Sequence, residues 1–144
     1  MLCWVMKRGE KIFAYDVDST MADLAIYCQK ADFVFHLAGV NRPEKPEEFM
    51  KGNFGFTTIL LDILKKYQNN CPVMISSSTQ AALNNPYGLS KKAGEDLLIE
   101  YAKEANTKVL IYRFPNVFGK WCRPRYRDWE TIGYIVTGKQ LGIS

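Results

Sequence analysis

The chain predicts an α/β fold built around a parallel sheet, and two observations carry that prediction. Short β-rich apolar runs alternate with stretches whose apolar residues recur at helical spacing. Gly39, Ser78 and Asn116 each fall just after a predicted strand, and the carboxyl ends of strands are where ligands bind in open parallel sheets. The connections are expected to be right-handed crossovers.

Residues 1–8 form a short amphipathic piece that stops at Gly9, like the last turns of a helix with its C-terminal glycine. Residues 11–15 (KIFAY) read as a short strand ending in Asp16 and Asp18. Thr20 with Asp23 makes a capping-box start to a helix through about Lys30, with Leu24, Tyr27 and Cys28 on one side. Residues 33–37 (FVFHL) are a near-continuous apolar run of the kind found in a strand covered on both faces. Ala38 and Gly39 follow, small enough to let another backbone or a ligand approach.

Residues 41–48 are a polar, proline-rich connection. The helical pattern returns over residues 47–67, with Phe56, Ile59, Leu60, Ile63 and Leu64 as its apolar stripe and Asn53 in its first half. Residues 72–75 read as the third strand, delivering Ser76, Ser77 and Ser78 at its end. Pro86 suits a helix start, and residues 87–105 continue it with Ala93, Leu97, Leu98 and Tyr101 buried. Residues 108–112 (KVLIY) are the fourth strand, leading into Arg113-Phe114-Pro115-Asn116-Val117-Phe118-Gly119.

The 144 residues suit one domain with a real core, and 47% apolar with 24% charged residues is the balance of an ordinary globular protein. A net charge of +4, with cations scattered except at residues 123–127, favours an anionic ligand over nucleic acid. Cys3, Cys28, Cys71 and Cys122 lie far apart, and His36 is the one histidine. No metal site is expected from that set, and the thiols are expected to be reduced. No apolar run reaches the ~18 residues of a membrane span and no signal-peptide pattern opens the chain, so the expectation is a cytoplasmic protein off the membrane.

Tyr87 and Lys91 are spaced i, i+4, which on a helix stacks a phenol and an ammonium on one face. A phenol with a pKa near ~10 in water becomes a usable acid or base near neutrality only when a positive charge stabilises its phenolate. The plainer alternative is a capped helix with a surface Tyr and Lys. Placed with a serine hydroxyl at a strand end, the pair instead suits proton transfer to or from a carbinol oxygen.

Four motifs in order, HLAG at residues 36–39, SSS at 76–78, PYGLSK at 86–91 and RFPNVFGK at 113–120, resemble the extended short-chain dehydrogenase/reductase superfamily, in its NAD-dependent epimerase/dehydratase branch. The resemblance covers residues 11–121 and implies a Rossmann-like, doubly wound parallel sheet. AGVNRPE at residues 38–44, the short gap between SSS and NPYG, and FGKWC at 118–122 are similar to bacterial capsular-polysaccharide reductases. Those enzymes reduce the C4 keto group of a UDP-linked 4-keto-6-deoxy-hexosamine with NADPH, and usually carry a zinc-binding C-terminal cupin domain. No counterpart of that domain is seen here.

The resemblance implies that Tyr87 protonates the sugar C4 oxygen as hydride arrives. Lys91 lowers the Tyr87 pKa and holds the nicotinamide ribose, while Ser78, with Ser77 as runner-up, hydrogen-bonds the same carbonyl. Ala38 and Gly39 lie along the cofactor, Asn53 supports the backbone nearby, and Pro115 with Asn116 borders nicotinamide and substrate. Lys120, Arg123 and Arg125 are candidates for the UDP phosphates, with a solvated basic loop as the alternative. Asp16 is a candidate for the adenosine ribose, which favours NAD, whereas the resemblance favours NADPH. His36 is read as a strand residue with a satisfied ring. A homodimer is implied by resemblance alone.

The first strand and GxxGxxG turn of the pattern are not found, and beyond about Arg125 the similarity fades. The expected organisation is a partial dinucleotide-binding domain over residues 1–126 and a divergent tail over 127–144. Such a fragment is expected to be poorly stable and to bind cofactor weakly. Two alternatives stand beside the reductase: a nucleotide-sugar epimerase or dehydratase, and a non-catalytic dinucleotide-binding module or inactive remnant. Ser78-Thr79-Gln80 lacks the acid that a dehydratase pairs with its Thr.

Overall fold

The computed structural model describes residues 11–40 and 43–115. Residues 1–9 with their expected helix end, Cys3 and Cys122, Asn116, Lys120, Arg123, Arg125 and the tail from 127 lie outside the described residues. The chain separates into two compact units, residues 1–113 and 114–144, and of the second only Phe114 and Pro115 are described.

Helix α1 (Met21–Lys30) starts as expected. The Thr20 hydroxyl accepts from the Asp23 N–H at 3.2 Å and the Asp23 carboxylate accepts from the Thr20 N–H at 2.9 Å, satisfying two donors that a helix start leaves open. Strand β1 (Val34–His36) follows. Next come a single turn, α2 (Glu47–Phe49), a π-helical stretch at Met50–Gly55, and α3 (Phe56–Lys66). The expected helix over residues 47–67 therefore carries a wide turn at Asn53, which the apolar period does not encode. Strand β2 (Val73–Ser78) runs into a 3₁₀ turn at Thr79–Ala82, then α4 (Pro86–Glu104) and β3 (Val109–Phe114).

The three strands form a parallel sheet in the order β1-β2-β3, with Val34, Phe35 and His36 opposite Val73, Met74 and Ile75. Side chains alternate across the sheet. Val73 and Ile75 face a helical layer with which they share one core: Leu24 and Cys28 from α1, Leu60, Leu61 and Leu64 from α3, and Leu98 and Tyr101 from α4. Val34, Val109 and Ile111 pack against the same core. Helices α3 and α4 end without glycine, on Gln68 (φ 52°) and Asn106 (φ 47°) in the left-handed region. The Asn69 N–H to Leu64 and Thr107 N–H to Ala102 bonds close the two termini, at 3.0 and 3.1 Å.

Several expectations are corrected. Residues 11–15 form no strand, because they have no hydrogen-bonded strand partner among the described residues. β1 is not covered on both faces: Phe35 and Leu37 are exposed, while His36 on the helical side is buried. The three serines lie within β2 rather than after it. On the helices, Ile59 is exposed and Leu61 buried, and Ala93 and Leu97 are only half-buried. Small and polar residues, Gly88, Ser90, Lys91, Gly94 and Glu95, are buried on α4 in addition to Leu98 and Tyr101. Among the described residues no helix is long and apolar enough to cross a membrane, and no cluster of His, Cys, Asp and Glu could hold a metal ion.

Candidate active site

Along β2 and β3 the face turned to the helices changes from apolar to polar toward the carboxyl end. Ser77 and Arg113 continue the alternation begun by Val73, Ile75, Val109 and Ile111. Two of the expected reactive residues reach this end through the start of α4. The Asn85 side chain caps the helix by accepting the Gly88 N–H at 2.7 Å, and Pro86 occupies the first turn, where its missing N–H costs no bond. Gly88 is required there: a Cβ would lie 2.1 Å from the Gln80 carbonyl oxygen and 2.7 Å from that of Leu83. The helix start thus rests directly on the 3₁₀ turn that leaves Ser78.

Lys91 is buried. Its Nζ donates to the Ser76 carbonyl at 3.2 Å and stands 5.9 Å from the Tyr87 ring centroid. Burial pulls its pKa below that of an ordinary lysine. A Cβ placed on Gly39 would lie 2.8 Å from both Lys91 Nζ and Asn53 Oδ1, so glycine alone fits this contact without displacing one of them.

Asn53 is buried in the π-helical turn and grips Val40 from both sides. Its Oδ1 accepts the Val40 N–H at 2.9 Å and its Nδ2 donates to the Val40 carbonyl at 3.1 Å. The same Nδ2 donates to Ser90 Oγ at 2.9 Å, and Ser90 donates onward to the Tyr87 carbonyl at 2.7 Å. Thr57 Oγ1 gives its one proton to the Asn53 carbonyl at 2.7 Å, so the 2.8 Å contact from His36 Nε2 to Thr57 Oγ1 requires the imidazole to donate. His36 is therefore the Nε2–H tautomer, with a buried Nδ1 that has no hydrogen-bond partner. Burial, followed by the nearby Lys91 charge, lowers its pKa to about 4. The ring is half satisfied rather than fully so, as was expected.

The serines divide by their partners. Ser77 is buried and donates its proton to Glu95 Oε1 at 2.5 Å. Ser78 Oγ accepts the Gln80 N–H at 3.2 Å as the cap of the 3₁₀ turn, which leaves its own proton for another acceptor. Glu95 also takes two bonds from Arg113, Nε to Oε1 at 2.9 Å and a terminal nitrogen to Oε2 at 2.6 Å. Burial pushes the Glu95 carboxyl up, but the Arg113 and Ser77 hydrogen bonds and the Arg113 charge outweigh it, so the pKa falls below the usual value.

Tyr87, Lys91, Gly39 and Asn53 thus form one connected group, and Ser78 lies two residues along the strand from the Ser76 carbonyl that Lys91 touches. Ala38 is exposed beside Gly39, and Pro115 is exposed just past β3. Asp16 is not tied to this group: its carboxylate accepts the Val17 N–H at 2.7 Å within the turn before α1. Ser90, Thr57 and Glu95 were not expected. On α4, Ser90 lies three residues after Tyr87 and Glu95 four after Lys91, a helical spacing present in the sequence but indistinguishable from that of solvated polar residues without the partners.

Known proteins resemble this chain in sequence and in fold. The sequence profile of the NAD dependent epimerase/dehydratase family matches residues 6–137. A UDP-2-acetamido-2,6-beta-L-arabino-hexul-4-ose reductase from Pseudomonas aeruginosa is 43% identical over 122 residues, 85% of this chain and 33% of that protein. The crystal structure of the capsular polysaccharide assembling protein CapF from Staphylococcus aureus superposes with a TM-score of 0.64 at 48% identity, covering 78% of this chain and 30% of that one. A UDP-glucuronic acid 4-epimerase from Bacillus cereus, solved with NAD, gives 0.63 at 25% identity, covering 76% and 40%. The chain spans roughly a third of the length of the first two.

Proposed function

We infer the function from the premise that this chain belongs to the NAD dependent epimerase/dehydratase family: it carries the proton-transfer half of a nucleotide-sugar oxidoreductase that reduces a C4 keto group. The observation that carries this reading is the buried Lys91 ammonium, held on the Ser76 carbonyl beside the Tyr87 ring. The 43% identity to a UDP-linked hexulose reductase supports the substrate class, a UDP-linked 4-keto-6-deoxy-hexosamine in capsular or surface polysaccharide synthesis.

The residues present fit a nicotinamide dinucleotide. Gly39 leaves open the space that a Cβ would fill next to Lys91 and Asn53, and Lys91 is a cation able to hold ribose hydroxyls. When bound, the reduced dinucleotide supplies hydride to the C4 carbon. The Tyr87 phenol gives its proton to the C4 oxygen, and the Lys91 charge stabilises the phenolate left behind. The Ser78 hydroxyl donates to the same oxygen; Ser77 cannot, its proton being committed to Glu95. Ala38, Gly39 and Pro115 border the dinucleotide in this reading, and Asn116, Lys120, Arg123 and Arg125 are assigned to the nucleotide sugar. The Asp16 carboxylate accepts the Val17 N–H through Oδ1 only, so its second oxygen can still take an adenosine ribose hydroxyl, which favours NAD, whereas the family resemblance favours NADPH.

The test joins this chain to the remaining two thirds of the Pseudomonas aeruginosa relative and supplies a UDP-4-keto sugar with NADPH or NADH. Oxidation of one reduced dinucleotide per sugar reduced supports the reading, with Tyr87→Phe and Lys91→Met each lowering kcat by about 10²–10⁴-fold. The 4-epimerase similarity supports a second outcome. Isomer exchange without net oxidation would replace reduction by epimerisation, and dinucleotide binding without turnover would leave a binding module.

A further inference from the structure

The stretch from Glu47 to Gly55 meets Tyr87 in two places. At its start the Phe49 ring lies against the Tyr87 ring, centroids 5.4 Å apart and planes tilted by 58°. Four residues later Asn53 holds Ser90 Oγ, which donates to the Tyr87 carbonyl. The backbone of Tyr87 and the ring of Tyr87 are thus set by one segment, the segment that also grips Val40 beside Gly39.

Phe49 differs from the residues around it. Glu47, Glu48 and Met50 are all exposed, and Phe49 is half-buried, with the Tyr87 ring as a neighbour. A tyrosine in the first turn of a helix can populate more than one χ1 rotamer, because no preceding helical turn restricts it. A tilted aromatic neighbour favours one of them, since the positive edge of one ring meets the negative face of the other.

We propose that Phe49 is a positioning residue, whose ring holds the Tyr87 phenol in the rotamer that keeps it beside the Lys91 ammonium. Phe49 donates no proton and binds no reacting atom; it sets how often the phenol and the cation are together. The catalytic meaning of this contact rests on the reading of Tyr87 as the acid, whereas the ring placement does not.

The experiment uses the full 144-residue chain carrying 3-fluorotyrosine, with the Tyr87 resonance identified by its loss in Tyr87→Phe. Phe49→Ala and Phe49→Leu are expected to move that resonance toward free fluorotyrosine and to narrow it, while Phe49→Tyr restores the parent position. If Phe49→Ala fails to fold, Phe49→Leu and Phe49→Tyr decide. A Tyr87 resonance unchanged in folded Phe49→Leu overturns the proposal. In the chimeric enzyme Phe49→Leu is expected to lower kcat about two- to tenfold with KM unchanged, the span of an aromatic pair contact. A shifted resonance together with full turnover in Tyr87→Phe leaves the ring placement standing and removes Tyr87 as the acid.

Discussion

His36 stays neutral through the whole neutral range, for reasons that lie in its partners. Its Nε2–H is given to Thr57 and its Nδ1 is buried without a partner, so a second proton would have to enter a site with no acceptor and a neighbouring Lys91 charge. The folded pKa is about 4 against 6.5 for the free side chain. Between those values the unfolded chain binds the extra proton and the folded chain does not. Stability therefore rises with pH across this window, and is lost as pH falls from about 6.5 to about 4. The loss is on the order of 3 kcal/mol at full depth. Urea titrations from pH 7 to pH 4.5 should show it, and His36→Gln, which keeps a donor near Thr57 but does not titrate, should flatten the curve. A parent curve as flat as the variant's would remove His36 as its cause. The Tyr87–Lys91 pair was legible in the sequence because i, i+4 spacing is a local property of a helix. The His36–Thr57 pairing was not, because 21 residues and a π-helical turn separate the partners.

At the level of elements, Glu95 joins three of them. It sits on α4 and holds Ser77 of β2 and Arg113 of β3 at the end of the sheet where Ser78 lies. Arg113 is half-exposed while Glu95 is almost fully buried, so the pair is asymmetric. Arg113→Met leaves a buried carboxylate with only the Ser77 hydroxyl as a hydrogen-bond donor, and should destabilise the fold at neutral pH. The deficit should shrink as pH falls toward the carboxylate range, because Glu95 then takes a proton, and Glu95→Gln in the same background should recover part of it. Denaturant titrations of the three proteins at two pH values would check this, and a pH-independent deficit would place the damage in packing rather than charge. Periodicity told where α1, α3, α4 and the three strands run, since apolar spacing is what buries them. It misread residues 11–15, where a strand-like composition has no strand to pair with among the described residues, and it passed over Glu95 because charge on a helix usually means solvent.

For the first unit as a whole, the sheet has one face packed and one face open. Phe33, Phe35 and Leu37 of β1 and its flanks, with Leu110 and Tyr112 of β3, are exposed on the side away from the core helices. Met74, on the same side but between them in the central strand, is only 4% exposed. Sheets made only of parallel strands are ordinarily covered on both faces, which is why the run at residues 33–37 reads as fully buried. Large apolar side chains exposed along both edge strands of one sheet face are unusual for an isolated folded chain. The folded chain is therefore expected to bind a hydrophobic fluorescent dye without denaturant. Phe35→Ser and Leu110→Ser should each lower the dye signal and cost less stability than a change at Met74, because both side chains are partly open to solvent. Met74→Ser should instead cost about 2 kcal/mol or more, because it empties a packed site and places a hydroxyl there. Dye binding absent from the folded parent would mean that this face is covered in solution. Equal stability losses at Phe35 and Met74 would mean the same, since a side chain open to solvent should not lose as much as one packed between two strands.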